Sequence, residues 1–234
     1  MEVADAMRTQ HACRYYAPDP IPDEVLYDAF ELARFGPQGG NRQPVRFVVV
    51  RDPAKKRQLA EWYGVPWKAY IDAMRAGVEA TQADDEDGTA KATWAGHAQL
   101  DKAMTDADHF AAHLAEHPAI IVVCADLAAT HPTDTELGRL SVVGGASIYP
   151  IVQNLCLALR NVGVATTLTT LLVSYEPQVK ELLGIPDDYA TAAHVVAGYP
   201  AKPFPKKLTR LPVEELVFAD TFGTPISRDG ATAA

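Results

Sequence analysis

The stretch ARFGPQGGNRQPVRFVVVRDP, residues 33–53, joins an expected helix to an expected strand through a loop of unusual composition. The mostly apolar run from Val45 to Val50 predicts a buried strand, because a short apolar segment fits a sheet that is covered on both faces. The loop before it, residues 36–44, is rich in glycine, proline and amide side chains. A solvent turn tolerates this composition, whereas a loop that binds a polar, planar ligand needs it, since glycine permits close backbone approach and amides both donate and accept.

Outward from this loop, alternating helical and strand patterns predict one α/β domain in which helices cover a sheet. The first helix follows Pro22, carries acidic residues in its first turn and ends at Gly36. A later helix at 176–183 is closed by Gly184 and Pro186, a pair that stops helices. The predicted strands are 45–50, 119–125, 164–169 and 193–197.

Residues 140–159 carry no charge over the length of a helix, which raises the question of a membrane span. The segment also contains glycine, proline and amide residues that hydrocarbon penalises, so it predicts a buried core helix instead. Its apolar residues surround most of the helix circumference, and Gly144, Gly145 and Ala146 leave room for a second helix near its start. We therefore expect an obligate homodimer formed through this helix.

The length of 234 residues, with 48% hydrophobic and 22% charged residues, fits a single globular domain, 1–234, with a large core. A formal net charge of −9 argues against a nucleic-acid or anionic-membrane partner, because both need a basic face. The 3 cysteines form no CxxC pair, and the first residues lack the apolar core of a signal peptide. We expect a cytoplasmic protein with free thiols.

Residues 77–116 depart from the core pattern, since they combine an acidic run at 84–88 with alanine-rich helix, Trp94 and several histidines. A solvated excursion accounts for the acidic run. The rest of the segment is either solvated as well or forms a lid, in which Trp94 and His97 would line an acceptor site. The tail, residues 201–234, contains closely spaced prolines that block helix and central strand, and it is expected to be an extended arm.

The histidines His109, His113 and His117 share one face of an expected helix and invite a metal interpretation. At about 1.5 Å per residue the outer two are roughly 12 Å apart, too far for one ion with ligand bonds near about 2 Å. A two-histidine site with an outside ligand stays open beside a solvated or lid-lining face, and no metal is expected. Cys13 lies beside a histidine and an arginine, but a buried structural thiol is favoured over a nucleophile.

Cationic and amide-bearing residues concentrate in three distant segments, 8–14, 38–43 and 205–212. The first and last carry Arg and Lys side chains, which can hold a phosphate dianion. In the middle segment, Asn41 and Gln43 can meet the mixed donor and acceptor edge of a heterocycle or ribityl hydroxyls. The alternative is a set of separate surface turns and salt bridges. No GxGxxG, GxxxxGK[ST] or GxSxG motif occurs, so dinucleotide, P-loop and nucleophile-elbow sites lack their motifs.

The chain resembles the flavin-dependent nitroreductase family along nearly its whole length. Its motifs are weak singly, and their order and spacing make the resemblance specific. The matching runs are HACR at 11–14, PDPIPDEVL at 18–26, GPQGGNRQP at 36–44, RFVVV at 46–50, QNL at 153–155, GVATTLTT at 163–170, ELLGIP at 181–186 and GYP at 198–200.

The resemblance implies an α+β fold with a central mixed sheet flanked by helices, and an intertwined homodimer with one FMN in each of two interface pockets. The residues implied to hold the phosphate are His11, Arg14, Lys207 and Arg210, with Ala12 beside them. Those implied to come from the partner subunit are Pro37, Gln38, Gly39 and Asn41, with Gln43 in the same loop. The run implied to pass near the flavin ring is Thr167, Leu168, Thr169 and Thr170. Two departures stand out, since Gln38 replaces the family's usual Ser and Ala12 lies where Ser or Thr is common.

The same resemblance implies an FMN-dependent oxidoreductase that takes hydride from NAD(P)H and reduces nitroaromatic or quinone-like acceptors. The chemistry would take place on the flavin, so no catalytic side chain is assigned. Two other functions leave the same FMN motifs: a biosynthetic flavin dehydrogenase that desaturates a small metabolite, and a flavin-binding carrier or sensor without turnover. The expected partners are a second copy of the chain, NAD(P)H and a small planar acceptor.

Overall fold

A 4-stranded sheet forms the centre of the structure, a computed structural model that describes residues 1–84 and 97–228. The strands are β1 (Val45–Val50), β2 (Ala119–Asp126), β3 (Ala165–Thr169) and β4 (Tyr189–Gly198). They lie in the order β1-β2-β4-β3, and each neighbouring pair is antiparallel. All four predicted strands are confirmed, and β4 starts earlier than its apolar run suggested. The predicted burial of β1 is wrong, because β1 is an edge strand in which only Val45 and Val50 are buried.

Helices flank this sheet on both sides. In the described part of the chain they are α1 (Val3–Thr9), α2 (Asp23–Ala33), α3 (Pro53–Asp84), α4 (His97–Ala112), α5 (Tyr149–Asn161), α6 (Glu176–Leu183) and α7 (Val213–Leu216). The predicted stop of α6 is confirmed, because Gly184 closes it in the left-handed conformation with a φ of 67°. The α+β class is also confirmed. Parallel pairing, as in a mixed sheet, is limited among the described residues to the isolated bridge between Ala12 and Thr166.

Two hydrophobic cores cover the two faces of the sheet. Ile121 and Val123 of β2 pack in the core that contains α2 and α5. Ile120 and Val122 pack on the other face, with side chains of α3 and α4. Because neighbouring side chains of a strand point to opposite faces, a strand buried along its whole length must be apolar throughout. This requirement explains the unbroken apolar sequence of β2.

The long helix α3 is tied to α4 through one carboxylate. Asp108 accepts a hydrogen bond of 2.9 Å from Trp67 Nε1 and one of 2.5 Å from Arg75 Nη2. Ring contacts between Tyr63 and Phe110 continue this contact towards the sheet.

Within residues 1–84 and 97–228, no helix combines the length and the hydropathy that crossing a membrane requires.

The prediction of a core helix over residues 140–159 is wrong in its first half. Helix α5 begins at Tyr149, and the preceding residues form turns that include the 3-10 turn Val143–Gly145. Leu140, which the prediction buried, is 90% exposed. Close packing explains why the turn needs glycine, because a Cβ at Gly145 would lie 2.6 Å from the Tyr149 ring. The small residues expected to admit a partner helix therefore precede α5 instead of lining it.

Gly36 allows the end of α2 to approach the start of α5, and its replacement tests this packing. A Cβ at Gly36 would lie 2.6 Å from the backbone Cα and N of Ile151. We expect Gly36→Ala to lower the free energy of unfolding by about 1–3 kcal/mol, because the backbone must shift to relieve the overlap. Urea denaturation followed by circular dichroism measures the change.

Gly64→Ala is the matched control, because nothing lies within 4 Å of a Cβ built at Gly64 in α3. The added methyl restricts the unfolded chain and favours the helix, so this variant gains about 0.4–1 kcal/mol. Equal stability of the two variants would contradict the close approach of α2 and α5.

Candidate functional site

The N-terminal segment that carries His11 and Arg14 is held against the edge strand β3. The Cys13 N–H donates to the Thr166 carbonyl at 3.1 Å, and the Thr167 hydroxyl donates back to the Cys13 carbonyl. Tyr16 and Thr167 share a hydrogen bond of 2.9 Å between their hydroxyls. The segment therefore lies along β3 as an extra, irregular strand.

The C-terminal arm returns to the same place. The Leu208 N–H donates to the Arg8 carbonyl at 3.0 Å. The edge of the Phe204 ring meets the His11 ring with 5.7 Å between centroids and an interplanar angle of 84°. The arm that carries Lys207 and Arg210 thus runs beside the segment that carries His11, and a phosphate site shared by these residues stays a prediction.

Arg160, which the sequence interpretation missed, lies beneath these segments. Its guanidinium carbon lies 3.7 Å from the centre of the Phe204 ring, and its Nε donates to the Thr9 hydroxyl at 3.0 Å. The residue is only 8% exposed. A signal existed, because Arg160 continues the buried i, i+4, i+8 stripe of Val152 and Cys156 along α5.

The segments that meet here carry six basic residues, which we term the cationic cluster. They are Arg8, His11, Arg14, Arg160, Lys207 and Arg210. Over the described ranges 1–84 and 97–228, their one ion pair joins Arg8 to Asp5 at 3.8 Å. Burial lowers the pKa of His11, and the nearby Arg160 and Arg14 lower it further against the opposing effect of the Thr9 carbonyl. The buried His11 Nδ1 makes no hydrogen bond of standard geometry. The cluster therefore has the donors and the charge to bind an anion such as a phosphate dianion.

The end of β3 presents alternate side chains to the surroundings. The Thr167 hydroxyl is used within the protein, and the Thr169 hydroxyl donates to the Tyr63 hydroxyl at 3.4 Å. Leu168 is 43% exposed and Thr170 is also exposed. Of the four residues predicted to pass near a ligand ring, these two present accessible side chains. The buried Thr167 and the half-buried Thr169 fix the strand.

Residues 36–43, which we term the glycine loop, adopt a strained conformation. The loop contains the 3-10 turn Gly39–Asn41, and the Gly39 N–H donates to Ser147 Oγ at 3.0 Å. Asn41 and Gln43 both have a φ of 52°, a left-handed conformation that costs non-glycine residues on the order of 1–3 kcal/mol. The buried Gln38 Oε1 has no hydrogen-bond partner among the described residues. Strain and an unpaired acceptor together indicate a functional loop.

The loop also borders two clefts. One, of about 370 Å³, has an apolar floor that includes Phe30 and Phe47. The other, of about 480 Å³, lies between Pro37, Gly39 and the turn Val143–Gly145. Both clefts include Gln38 in their walls.

The glycine loop and the cationic cluster lie far apart within one chain. The loop leads into β1 at one edge of the sheet, whereas the cluster adjoins β3 at the other edge. Three inter-strand spacings of about 4.8 Å separate β1 from β3, which gives a distance of about 14 Å across the sheet. Along the strand direction, Val45 of β1 pairs with Ala125 of β2, which in turn pairs with Ala190 of β4. Thr166 of β3 pairs with Ala197, which lies seven residues further along β4. That offset corresponds to about 24 Å at about 3.4 Å per residue. One protomer therefore does not join the predicted phosphate residues to Pro37, Gln38, Gly39, Asn41 and Gln43.

The histidines do not share one helical face as predicted. His109 and His113 have ring centroids 4.1 Å apart, but His117 follows the 3-10 turn Leu114–Glu116 and is buried against Phe110. Burial lowers the pKa of His117 to about 4, so it is neutral at physiological pH. No group of three or more potential ligands in the described ranges could hold a metal ion. Trp94 and the acidic residues 85–88 lie outside the described residues, as does the side chain of His97.

Comparisons with known proteins identify the family of this chain. The sequence model for the "Nitroreductase family" matches residues 7–199. The chain belongs to the nitroreductase family. It is 29% identical over 219 residues to an "NADH dehydrogenase" of Thermus thermophilus, which covers 93% of this chain and 95% of that protein. It is 24% identical over 218 residues to an "Iodotyrosine deiodinase" of Nematostella vectensis, covering 92% and 74%.

Solved structures show the nitroreductase fold. The NADPH:FMN oxidoreductase of Vibrio harveyi complexed with NAD+ aligns with a TM-score of 0.65 at 18% identity, over 97% of this chain and 80% of that one. An oxidised iodotyrosine deiodinase bound to FMN and 3-iodo-L-tyrosine aligns with a TM-score of 0.67 at 21% identity, over 94% and 100%. The expected fold family is confirmed.

The turn that supports the glycine loop depends on Asp134. This carboxylate accepts hydrogen bonds of 2.7 Å from the Ser141 hydroxyl and 2.9 Å from the Val142 N–H. Arg139 also donates to it at 2.8 Å. These bonds, above all that from Ser141, lower the pKa of Asp134 to about 2. The backbone before α5 is thus shaped by one side chain upstream.

We expect Asp134→Asn to destabilise the fold at neutral pH, with an effect that disappears in acid. The folded-state pKa of about 2 lies below the unfolded value of about 3.9, so the carboxylate stabilises the fold above about pH 4. This contribution is lost as the pH falls from about 4 towards 2. Urea midpoints of the wild type and the variant should therefore converge over that range. The exposed Asp19→Asn is the control, and a constant difference for Asp134→Asn down to about pH 2 would contradict the assignment.

Proposed function

We propose that the protein is an FMN-dependent oxidoreductase that transfers hydride from NAD(P)H to nitroaromatic or quinone-like acceptors. The observation that carries the proposal is the cationic cluster, in which the two ends of the chain meet beside the exposed end of β3. A flavin mononucleotide matches this arrangement, because it has one phosphate and a planar ring. The absence of a dinucleotide fingerprint from the sequence agrees with one phosphate group.

The donor set fits the phosphate. Arg14, Lys207 and Arg210 supply charge and N–H donors, and the buried His11 Nδ1 would gain the partner that it lacks. Arg160 supports the site through Phe204 and adds positive potential, since a guanidinium stays charged even when buried. Ala12 is exposed between these groups and supplies no hydroxyl.

When bound, FMN supplies the centre that accepts and donates hydride. The protein's part is to hold the phosphate and to keep the ring at a fixed depth against Leu168 and Thr170. The Tyr16 and Tyr63 hydroxyls contribute by fixing Thr167 and Thr169 of the same strand. No side-chain acid or base is assigned, because water can protonate the product.

A complete site requires a second copy of the chain. The glycine loop lies too far from the cationic cluster for both to contact one flavin, yet its strain and its unpaired Gln38 Oε1 indicate a ligand contact. We infer a homodimer in which the loop of one copy borders the flavin whose phosphate the other copy holds. The exposed apolar side chains of α1, α7 and the arm agree with burial against a partner; they include Val3, Met7, Leu211, Val213, Leu216 and Phe222.

Three further features belong to this proposal. The chain 1–234 acts as one domain, the segment 77–116 selects the acceptor, and the arm 201–234 completes the phosphate site. A cytoplasmic, reducing location agrees with the three cysteines, which are all buried and unpaired. Burial raises the pKa of the Cys13 thiol, which disfavours the thiolate that a nucleophile needs.

The deiodinase relatives raise a second candidate within the same chemistry. Sequence similarity to an iodotyrosine deiodinase extends over 92% of this chain. Reductive dehalogenation of an aromatic substrate therefore belongs in the acceptor panel, beside nitroaromatics and quinones. Steady-state oxidation of NADH and NADPH with each acceptor identifies the reaction, and a flavin-binding protein without acceptor-dependent turnover would be a carrier or sensor.

The cofactor assignment predicts that the purified protein releases FMN and not FAD in a mass spectrum. Arg14→Ala and Arg210→Ala should each weaken FMN binding about ten- to a hundredfold, because a charge-assisted hydrogen bond contributes on the order of 1.5–3 kcal/mol. Arg57→Ala is the control, since Arg57 is exposed on α3. Flavin titrations that match the wild type for both test variants would place the phosphate elsewhere.

The shared pocket predicts complementation between two damaged chains. One chain carries Arg14→Ala and Arg210→Ala. The other carries Asn41→Gly and Gln43→Gly, which remove both amides and suit the left-handed backbone. In a doubly tagged heterodimer one pocket receives all the substitutions and the other receives none. We expect one FMN per heterodimer to bind with wild-type affinity, whereas each homodimer binds weakly.

Loss of tight binding from the heterodimer as well would show that each chain builds its pocket alone. Sedimentation of the samples confirms that dimers are compared with dimers.

A further inference from the structure

Tyr15 joins three separate parts of the molecule. Its hydroxyl donates to Asp106 Oδ1 of α4 at 2.6 Å. Its ring stacks on the His109 ring with 4.4 Å between centroids and an interplanar angle of 23°. The Lys202 ammonium lies 3.2 Å from the centre of the same ring. We term Tyr15, Asp106, His109 and Lys202 the Tyr15 clasp.

The clasp lies between α4 and the two segments that form the cationic cluster. Tyr15 directly follows Arg14, and its carbonyl accepts a 2.9 Å hydrogen bond from the Ala201 N–H, where the C-terminal arm begins. Lys202 lies on that arm, two residues before Phe204. A phosphate bound by the cluster would restrain both segments. Tyr15 is their side-chain hydrogen bond to α4, beside the Arg14 guanidinium, whose carbon lies 5.2 Å from the centre of the Phe110 ring.

The contacts of Asp106 make this connection specific. It accepts from Tyr15 through one oxygen and from Lys102 through the other at 2.5 Å. The Lys102 pair is exposed and lies within α4, so it contributes little to the attachment of the helix. The hydrogen bond with Tyr15 is the interaction that connects Asp106 to another part of the chain.

We propose that Tyr15 is a positioning residue that couples occupation of the cationic cluster to the docking of α4. The proposal rests on the proposed function, because FMN is the ligand that fills the cluster. Coupling of this kind is reciprocal: if FMN stabilises the docked helix, then a loosened helix must weaken FMN binding by the same factor. The helix would thus respond to the cofactor although its residues do not belong to the cationic cluster.

The test combines hydrogen–deuterium exchange of residues 101–112 with titration of FMN into the full-length protein stripped of flavin. In the wild type, FMN should slow exchange in this segment about threefold or more. Tyr15→Phe and Asp106→Ala remove the hydrogen bond, so each should lose most of this slowing and raise the Kd for FMN about three- to tenfold. Asp106→Asn keeps an acceptor oxygen for Tyr15 and should restore the FMN-dependent slowing.

Asp72→Ala is the matched control. Asp72 pairs with Lys68 at 2.8 Å in the same i, i+4 arrangement on α3, and it makes no contact with Tyr15. This variant should behave as the wild type in both measurements. Tyr15→Phe decides the result alone if Asp106→Ala does not fold.

The coupling would be overturned if FMN left the hydrogen–deuterium exchange rate of residues 101–112 unchanged in the wild type. An unchanged Kd for FMN in Tyr15→Phe would overturn it as well. In either case FMN still binds, and the proposed function stands. A wild-type protein that binds no FMN would refute the cofactor assignment together with the coupling.

Discussion

The pairing of residues 12 and 13 with β3 is the constraint on which the rest of the site depends. An edge strand presents unpaired N–H and C=O groups, and here the chain's own N-terminal segment covers part of that edge. This N-terminal segment positions Arg8, His11 and Arg14 at one edge of the sheet. The arm then pairs with the covering segment, so the two ends of the chain meet although they are distant in sequence.

Features that depend on local chemistry could be predicted from the sequence. The unbroken apolar run of β2 identifies a strand covered on both faces, and Gly184 ends α6 because a glycine takes a positive φ freely. The three segments of the candidate site could be recognised because they are rich in cationic and amide residues. Their distribution over the sheet could not be deduced, because the order β1-β2-β4-β3 follows from tertiary packing.

Predictions were wrong or incomplete where a distant side chain decides the local structure. Residues 140–148 have the composition of a core helix, but Asp134 binds the Val142 N–H and holds the backbone in turns. His117 continues the spacing of the other histidines, yet α4 has already ended before it. Arg160 was missed because its role depends on Phe204, a contact across more than forty positions of sequence.

The crowding of like charges in the cationic cluster has a consequence for the lifetime of the protein. Arg160 is buried and stays charged, and within the described ranges the cluster's one carboxylate pairing is that between Arg8 and Asp5. A bound dianion relieves this repulsion in the folded chain and has no comparable site in the unfolded one. Folding is then linked to ligand supply: a free concentration of about a hundred times Kd adds about 2.7 kcal/mol to stability. If FMN fills the cluster as proposed, a cell short of flavin would hold less of this protein, because its unfolded fraction is exposed to proteolysis.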